Sequence, residues 1–234
     1  MVITGERTVP GIWHENYWFR RHEVVYLRIA DLVTGMDVLE AGCGEGYGAQ
    51  RLANHAKSLH ALDYDDYATR HVHAAYPSVL GVRANLVQLP YADESFDVVV
   101  SLQTIEHLWN QEAFVAECLR VLRPGGTIVI STPNTLTFPP GNIYHPKELT
   151  PDELRSLLSP SAIITSCVGL SHGPVLTTWE GANGSIIDAQ IARPYDEWDV
   201  ELIEAVTTVT VDDFAFSTDE LNESLDLIVV AQKP

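Results

Sequence analysis

Between Arg193 and Lys233 the chain carries not one lysine or arginine, while eleven aspartates and glutamates fall in that stretch. Over all 234 residues, 14 basic side chains face 32 acidic ones, a formal net charge of −18. Phosphate neutralisation by Lys and Arg dominates nucleic-acid affinity, so such a surface repels a polyanion, and anionic membranes are disfavoured for the same reason. Cysteine is also scarce: Cys43, Cys118 and Cys167 are too few and too scattered for a disulfide framework or a zinc knot. No apolar run approaches the ~20 residues of a membrane span. Met1–Glu6 has no apolar stretch behind a basic start, as a secretory leader requires. These absences leave a cytoplasmic setting and a neutral or cationic small-molecule substrate. The charge excess by itself speaks only to solubility.

What is present is a regular alternation. After an irregular stretch over residues 1–16, broken by Gly5, Pro10 and Gly11, the pattern predicts a helix over Tyr17–Leu32. Strands are predicted at Met36–Ala41, Leu59–Leu62, Val79–Ala84, Phe96–Leu102, Thr127–Ser131, Ile163–Val168 and Leu225–Ala231. Helices separate them at Tyr47–Ala56, Tyr67–Ala75 and Gln111–Leu122, the last closed by Pro124-Gly125-Gly126. Thr150-Pro151-Asp152-Glu153 starts another, with capping-box spacing and proline at the first helical position. Such alternation predicts an α/β fold, a mostly parallel seven-stranded sheet with helices on both faces. Residues 170–223 show weak periodicity and one helix-like run near Val200–Val209. That stretch is too long for a simple connection, and we read it as an insertion before the last strand that forms an acceptor pocket or a subunit interface. The expected layout is one domain: an N-terminal lid segment (1–35), a ligand-binding core (36–169), the insertion (170–223) and the last strand (224–234).

The chemistry concentrates at Val38-Leu39-Glu40-Ala41-Gly42-Cys43-Gly44-Glu45-Gly46-Tyr47-Gly48. A strand runs into a turn with glycine at alternate positions, where side chains would block the approach of a ligand to the backbone. Asp63 ends the next strand, 21 residues after Gly42, placed to accept both hydroxyls of a ribose. Open α/β sheets bind ligands at this carboxyl end of their strands. The nicotinamide fingerprint G-x-G-x-x-G needs glycine where Tyr47 stands, which argues against an oxidoreductase. The Gly42-x-Gly44-x-Gly46 form preceded by Glu40 resembles instead motif I of the class I S-adenosylmethionine-dependent methyltransferases, whose fold is Rossmann-like. Ala84-Asn85-Leu86, Leu89-Pro90 and Ser95-Phe96-Asp97 resemble that family's adenine-binding third and fourth strands, and Leu119–Gly126 its motif before the fifth. The resemblance implies S-adenosylmethionine as methyl donor, with Glu40, Gly42 and Gly44 bordering its methionine part. It implies Asp63 on the ribose, Tyr64 on the adenine face, Asn85 and Leu86 at the adenine edge and face, and Gln103 near the sulfonium. The family commonly has Asp at the position of Asn85; an amide both donates and accepts, so the exchange is tolerable.

The acceptor is written less sharply. Ile105-Glu106-His107-Leu108 follows the fourth strand, and Ser131-Thr132-Pro133-Asn134 and Tyr144-His145-Pro146 follow the fifth. Gln103, Glu106, His107 and His145 together resemble a metal-assisted subgroup of O-methyltransferases. There Glu-x-x-Glu-His and a distant histidine hold a divalent ion against the acceptor hydroxyls. Gln103 stands at the first Glu of that pattern, one negative charge fewer, and Glu-His after this strand also occurs in methyltransferases without metal. Mg2+ prefers oxygen ligands, so two histidines point to a softer ion such as Mn2+, or to Mg2+ completed by water and substrate oxygens. His145 is the expected general base, with Glu106 and His107 anchoring the ion or the hydroxyl. In the aromatic helix Glu15–His22 the resemblance implies a lid, with Tyr17, Arg21 and His22 as donor or acceptor contacts and Arg21 suited to a carboxylate.

Gly5-Glu6-Arg7-Thr8, Glu15–His22, Gly42–Gly48, Ser131–Asn134, His172-Gly173-Pro174, Gly184–Ile191 and Ser224–Ile228 resemble, nearly end to end, the mycobacterial 1-O-methyltransferases of methylmannose polysaccharide synthesis. That resemblance implies methylation of the reducing-end hydroxyl of short 3-O-methylated mannosides, a neutral oligosaccharide acceptor. Trp179 and Trp198 in the insertion are then expected to stack on sugar faces. Methylation of a quinone or phenol competes, since Glu-His occurs there too. A membrane-soluble quinone would favour an apolar or basic amphipathic surface helix, and the sequence has none. A homodimer is compatible with the sequence, which does not fix the oligomeric state.

Overall fold

In a computed structural model, residues 8–234 are described; the Gly5–Arg7 part of the N-terminal motif lies outside the described residues. Helix α1 (Asn16–Ile29) sits between 3-10 turns at Trp13–Glu15 and Ala30–Val33, so the expected longer helix tightens at its end. The alternating part follows as β1 (Asp37–Ala41), α2 (Tyr47–Ala53), β2 (Ser58–Asp63), α3 (Asp66–Ala75), β3 (Leu80–Arg83), β4 (Phe96–Leu102), α4 (Gln111–Val121) and β5 (Leu122–Pro133). Pro124–Gly126 therefore lies inside the long β5, where the pairing with β4 shifts register between Phe96 and Val98. Helix α5 (Pro151–Leu158) opens with the capping box: the Thr150 hydroxyl accepts from the Glu153 amide, and the Glu153 carboxylate accepts from the Thr150 amide.

The remainder is more structured than the sequence suggested. Strand β6 (Ile163–His172) leads into α6 (Pro174–Asn183), α7 (Ile186–Ile191), α8 (Val200–Thr208), β7 (Phe214–Ser217) and β8 (Asp226–Gln232). The insertion thus holds three helices, not one. Each has its own start signal: Pro174 in the first turn, Ser185 accepting from the Asp188 amide, and Asp199 accepting from the Leu202 amide. At 6 to 10 residues they are too short to display a period.

The sheet has eight strands, not seven, in the order β3-β2-β1-β4-β5-β8-β6-β7. Strands β1 to β5 pair in parallel, and β8 runs antiparallel between β5 and β6. The extra strand is β7, which zips Phe214–Ser217 against Gly169–His172 and so extends β6 beyond its expected end at Val168. One core lies on the face covered by α1, α2, α3 and the insertion (Val38, Val98 and Val100 among its residues). The other lies under α4 and α5 (Leu39, Val99, Phe114 and Leu154 among them). Neighbouring residues of β1 and β4 point into opposite cores, as period 2 in a doubly covered sheet demands. The carboxyl ends of β1, β4 and β5 meet mid-sheet and present Gly42, Gln103 and Asn134 to one side. Among the described residues no helix is long and apolar enough to cross a membrane.

Candidate functional site

At the end of β1 the backbone turns under tight constraint. Gly42 has φ 91°, and a Cβ there would lie 2.3 Å from the Thr104 methyl, so neither the conformation nor the space admits a side chain. The amides of Gly42 and Cys43 both donate to the Leu62 carbonyl, at 2.8 and 3.0 Å. Asp63 ties the turn to β2: its carboxylate accepts from the Gly44 amide and the Asp65 amide, each at 2.9 Å. Behind the turn, Gly48 lies against the Tyr26 ring, which a Cβ would meet at 2.0 Å. That contact brings the Tyr26 hydroxyl to Glu40, to which it donates at 2.6 Å.

Glu40 is fully buried, and burial pushes its carboxyl up to about 8; the Tyr26 hydroxyl opposes the rise and the Asp63 charge adds to it. A carboxyl raised in the folded state contributes stability that is complete below its ordinary value of 4.5 and is lost as pH climbs toward about 8. Glu40→Gln keeps an acceptor for Tyr26 and removes the titration. It is expected to flatten the fall of melting temperature between pH 5 and 8, on the order of 4 kcal/mol of linkage. Parallel melting profiles for wild type and variant would contradict this.

Of the adenine-side candidates only Asp63 is bonded to the turn, and none of them lines the cavity on the turn's other side. Asp63 is half-buried and Tyr64 exposed at the end of β2, Asn85 is exposed beyond β3, and Leu86 is buried in the core under α4 and α5. The Asn85 side-chain oxygen Oδ1 accepts from the Val87 amide at 3.1 Å, which shapes this short loop.

On the other side of the turn opens a cavity of about 840 Å3. Its floor is Gly42, Gly44 and Gln103; its walls come from α1, from residues 138–145 and from the insertion between Gln190 and Trp198. Gln103 is a non-glycine residue at φ 49°, a left-handed conformation held by its amide donating to the Ser131 carbonyl at 3.0 Å. Backbone strain of this kind collects at functional sites.

Glu106, His107 and His145 meet in this cavity, with one ligand-capable atom of each lying within 4.8 Å of the others. Glu106 is 1 % exposed and accepts from the Thr132 hydroxyl at 3.0 Å. Burial raises its carboxyl to about 7, against the opposing pull of its own backbone amide, the His145 ring and Thr132. The two histidines cross at 73° with centroids 4.8 Å apart. His145 Nδ1 donates to the Glu148 carboxylate at 2.7 Å, and His107 Nδ1 to the Tyr144 carbonyl at 3.0 Å. Because both acceptors lack protons, each neutral ring carries its lone pair on Nε2.

The N-terminal helix departs from expectation. Tyr17 is not in the cavity but wholly buried in the core; its hydroxyl donates to His172 Nε2 at 2.7 Å while His172 Nδ1 donates to Glu180 at 2.9 Å. This chain of bonds fastens α1 to β6 and α6. Arg21 does border the cavity, yet the carboxylate it grips is the protein's own: Nε and Nη2 donate to Asp226 at 2.7 Å each. His22 borders the cavity too, and burial lowers it to about 4, so it is neutral there. Of the two insertion tryptophans, Trp198 lines the cavity, whereas Trp179 packs against the core and does not. Glu148, His14 and Tyr195 were not anticipated, and Thr132 and Gln190 stood only inside the Ser131–Asn134 and Gly184–Ile191 motifs with no role of their own. The one signal for Gln190 was a polar residue four positions after Ile186 on an otherwise apolar helical face.

A family model described as a methyltransferase domain matches residues 39–130, the stretch from within β1 to within β5. A Mycolicibacterium smegmatis protein named "Probable S-adenosylmethionine-dependent methyltransferase" is 48% identical over 100% of this chain and 96% of its own length. A Rhizobium etli ubiquinone biosynthesis O-methyltransferase is 28% identical, over 62% of this chain and 67% of that protein. The solved structure of an S-adenosylmethionine-dependent methyltransferase from Mesorhizobium loti superposes with a TM-score of 0.59 at 20% identity, over 91% of this chain and 98% of that one, and so shares the fold. With the glycine turn inside the matched segment and near half of all residues shared with the mycobacterial relative along the full chain, this protein belongs to the S-adenosylmethionine-dependent methyltransferases.

Proposed function

We propose that the chain is an O-methyltransferase acting on the reducing-end 1-hydroxyl of short 3-O-methylated mannosides. The observation that carries the hydroxyl chemistry is the convergence of Glu106, His107 and His145 on the cavity that begins at the glycine turn. S-adenosylmethionine supplies an activated methyl group: the C–S bond breaks with its electron pair left on sulfur as the acceptor oxygen bonds to the methyl carbon. The protein must align that oxygen and receive its proton. His145 takes the proton at Nε2, with the Glu148 carboxylate on Nδ1 holding the ring and favouring the imidazolium that forms. Glu106 and His107 hold the hydroxyl. An anomeric hydroxyl is more acidic than other sugar hydroxyls, which eases the transfer. On the donor side Glu40, Gly42 and Gly44 border the methionine part, Asp63 binds the ribose, Tyr64, Asn85 and Leu86 border the adenine, and Gln103 lies by the sulfonium.

One carboxylate and two imidazoles, each imidazole with Nδ1 bound to a carboxylate or carbonyl, also fit a divalent ion, because oriented histidine ligands are held in this way. The donor set suits Mn2+, or Mg2+ completed by oxygens from water and substrate. Such an ion, held by Glu106, His107 and His145, would lower the acceptor hydroxyl's pKa.

A quinol or phenol acceptor is the second reading, favoured by the Rhizobium relative. Incubation with S-adenosylmethionine and a panel of 3-O-methylated mannosides, quinols and RNA, read by mass spectrometry, separates the two. Mannosides should gain one methyl group at the 1-position while RNA gains none. A quinol modified in preference to every mannoside would overturn the sugar assignment.

A further inference from the structure

Gln190 is a buried polar group of the cavity that the chemistry above does not use. It lies on α7 in the insertion, is 7 % exposed, and borders the cavity far along the sequence from the glycine turn. Its Nε2 donates to the Ile186 carbonyl at 3.1 Å. Its Oε1 is buried and has no hydrogen-bond partner among the described residues. The amide cannot be turned round to relieve this, because Oε1 would then face the Ile186 carbonyl, one acceptor against another. A buried acceptor left unmade costs free energy that a ligand O–H or N–H recovers on binding.

The surroundings narrow the ligand. Tyr195 stacks on His14 with centroids 4.0 Å apart and planes 2° from parallel. Trp198 donates its indole N–H to the Arg193 carbonyl at 3.1 Å, which fixes the ring. These three rings line the same cavity. Aromatic walls beside a buried, unpaired amide oxygen suit a molecule that has C–H faces and O–H edges, as a pyranose does. A monohydric phenol has only the hydroxyl that is methylated and leaves none to donate to Oε1.

Resting on the O-methyltransferase reading above, we propose that Gln190 is an acceptor-binding residue. Its Oε1 accepts a hydrogen bond from a sugar hydroxyl other than the one methylated, and so selects polyhydroxylated acceptors. The insertion cannot simply be removed to test this, since Leu202, Val206 and Phe214 belong to the core and β7 belongs to the sheet. Point variants serve instead. In Gln190→Leu the acceptor KM should rise tenfold or more with kcat within a few fold, S-adenosylhomocysteine affinity unchanged, and melting temperature equal or higher, because an unsatisfied buried acceptor has gone. Gln190→Glu, its buried carboxyl protonated on the oxygen that faces the Ile186 carbonyl, restores an acceptor oxygen and should bring KM back toward wild type. With the wild type, one monodeoxy mannoside should lose as much affinity as Gln190→Leu does, and that loss should vanish in Gln190→Leu. An unchanged KM in active Gln190→Leu, or no deoxy position that behaves this way, overturns the role of Gln190 alone. A wild type inactive on every mannoside overturns the reading on which it rests, and this inference with it.

Discussion

His145→Ala is expected to lower kcat by about 10²- to 10⁴-fold, the usual worth of a positioned general base, while S-adenosylhomocysteine binds as tightly as to the wild type. The separation follows from placement. His145 sits with Glu106 and His107, held by Glu148 at 2.7 Å, whereas the turn and Asp63 are built from β1, β2 and their own backbone bonds. Chelation tells the two roles of the cluster apart. If a divalent ion acts there, EDTA stops wild-type turnover and Mn2+ or Mg2+ restores it, and the residual rate of His145→Ala becomes insensitive to both. Donor affinity stays unchanged throughout, because the ion would bridge acceptor oxygens. Full wild-type activity in EDTA would remove the metal and leave His145 or His107 as a simple base.

Asp63→Ala should raise the dissociation constant of S-adenosylhomocysteine by about 10²-fold or more, from two charge-assisted bonds to the ribose hydroxyls at roughly 1.5–3 kcal/mol each. The structure adds a second source of loss, since the same carboxylate anchors the Gly44 amide. Asp63→Asn isolates the two. It keeps an oxygen for Gly44 and gives up the charge, so its affinity should fall between those of wild type and Asp63→Ala. Calorimetry measures both constants, and circular dichroism checks that the fold persists. Unchanged affinity in Asp63→Ala would contradict the placement of the ribose.

What the sequence made legible follows the range of the forces involved. Strand β4 matches its expected span of Phe96–Leu102 to the residue, because a run that is apolar but for Asp97 and Ser101 is buried on both faces of the sheet. The start of α5 was equally plain, since Thr150 and Glu153 satisfy each other locally. The insertion was not legible. Its helices are short, and β7 is a strand only because the exposed edge of β6 offers it bonds. Tyr17 misled for a related reason. Its aromatic helix face looks the same whether it covers a ligand or a core, and His172, 155 residues away, decided between them. Likewise no local pattern joins His145 to His107; the fold of the 134–149 segment does, with Gln111 donating to the Lys147 carbonyl at 2.8 Å and β-bridge pairing of Asn134 with Leu149. Gln190 escaped notice because a single polar residue on an apolar helix face is ordinarily a satisfied core amide.

A crystal of the protein grown with S-adenosylhomocysteine and Mn2+, recorded at the manganese absorption edge, addresses the central claim that one cavity joins donor and acceptor chemistry. The account predicts the ribose on Asp63 and the sulfur of the ligand facing the cavity beside Gln103; an anomalous peak within bonding distance of Glu106, His107 and His145 would assign His145 Nε2 to an ion instead of to the proton. A ligand seated away from the Gly42–Gly48 turn, or a sulfur pointing away from the Glu106–His107–His145 cluster, would contradict it.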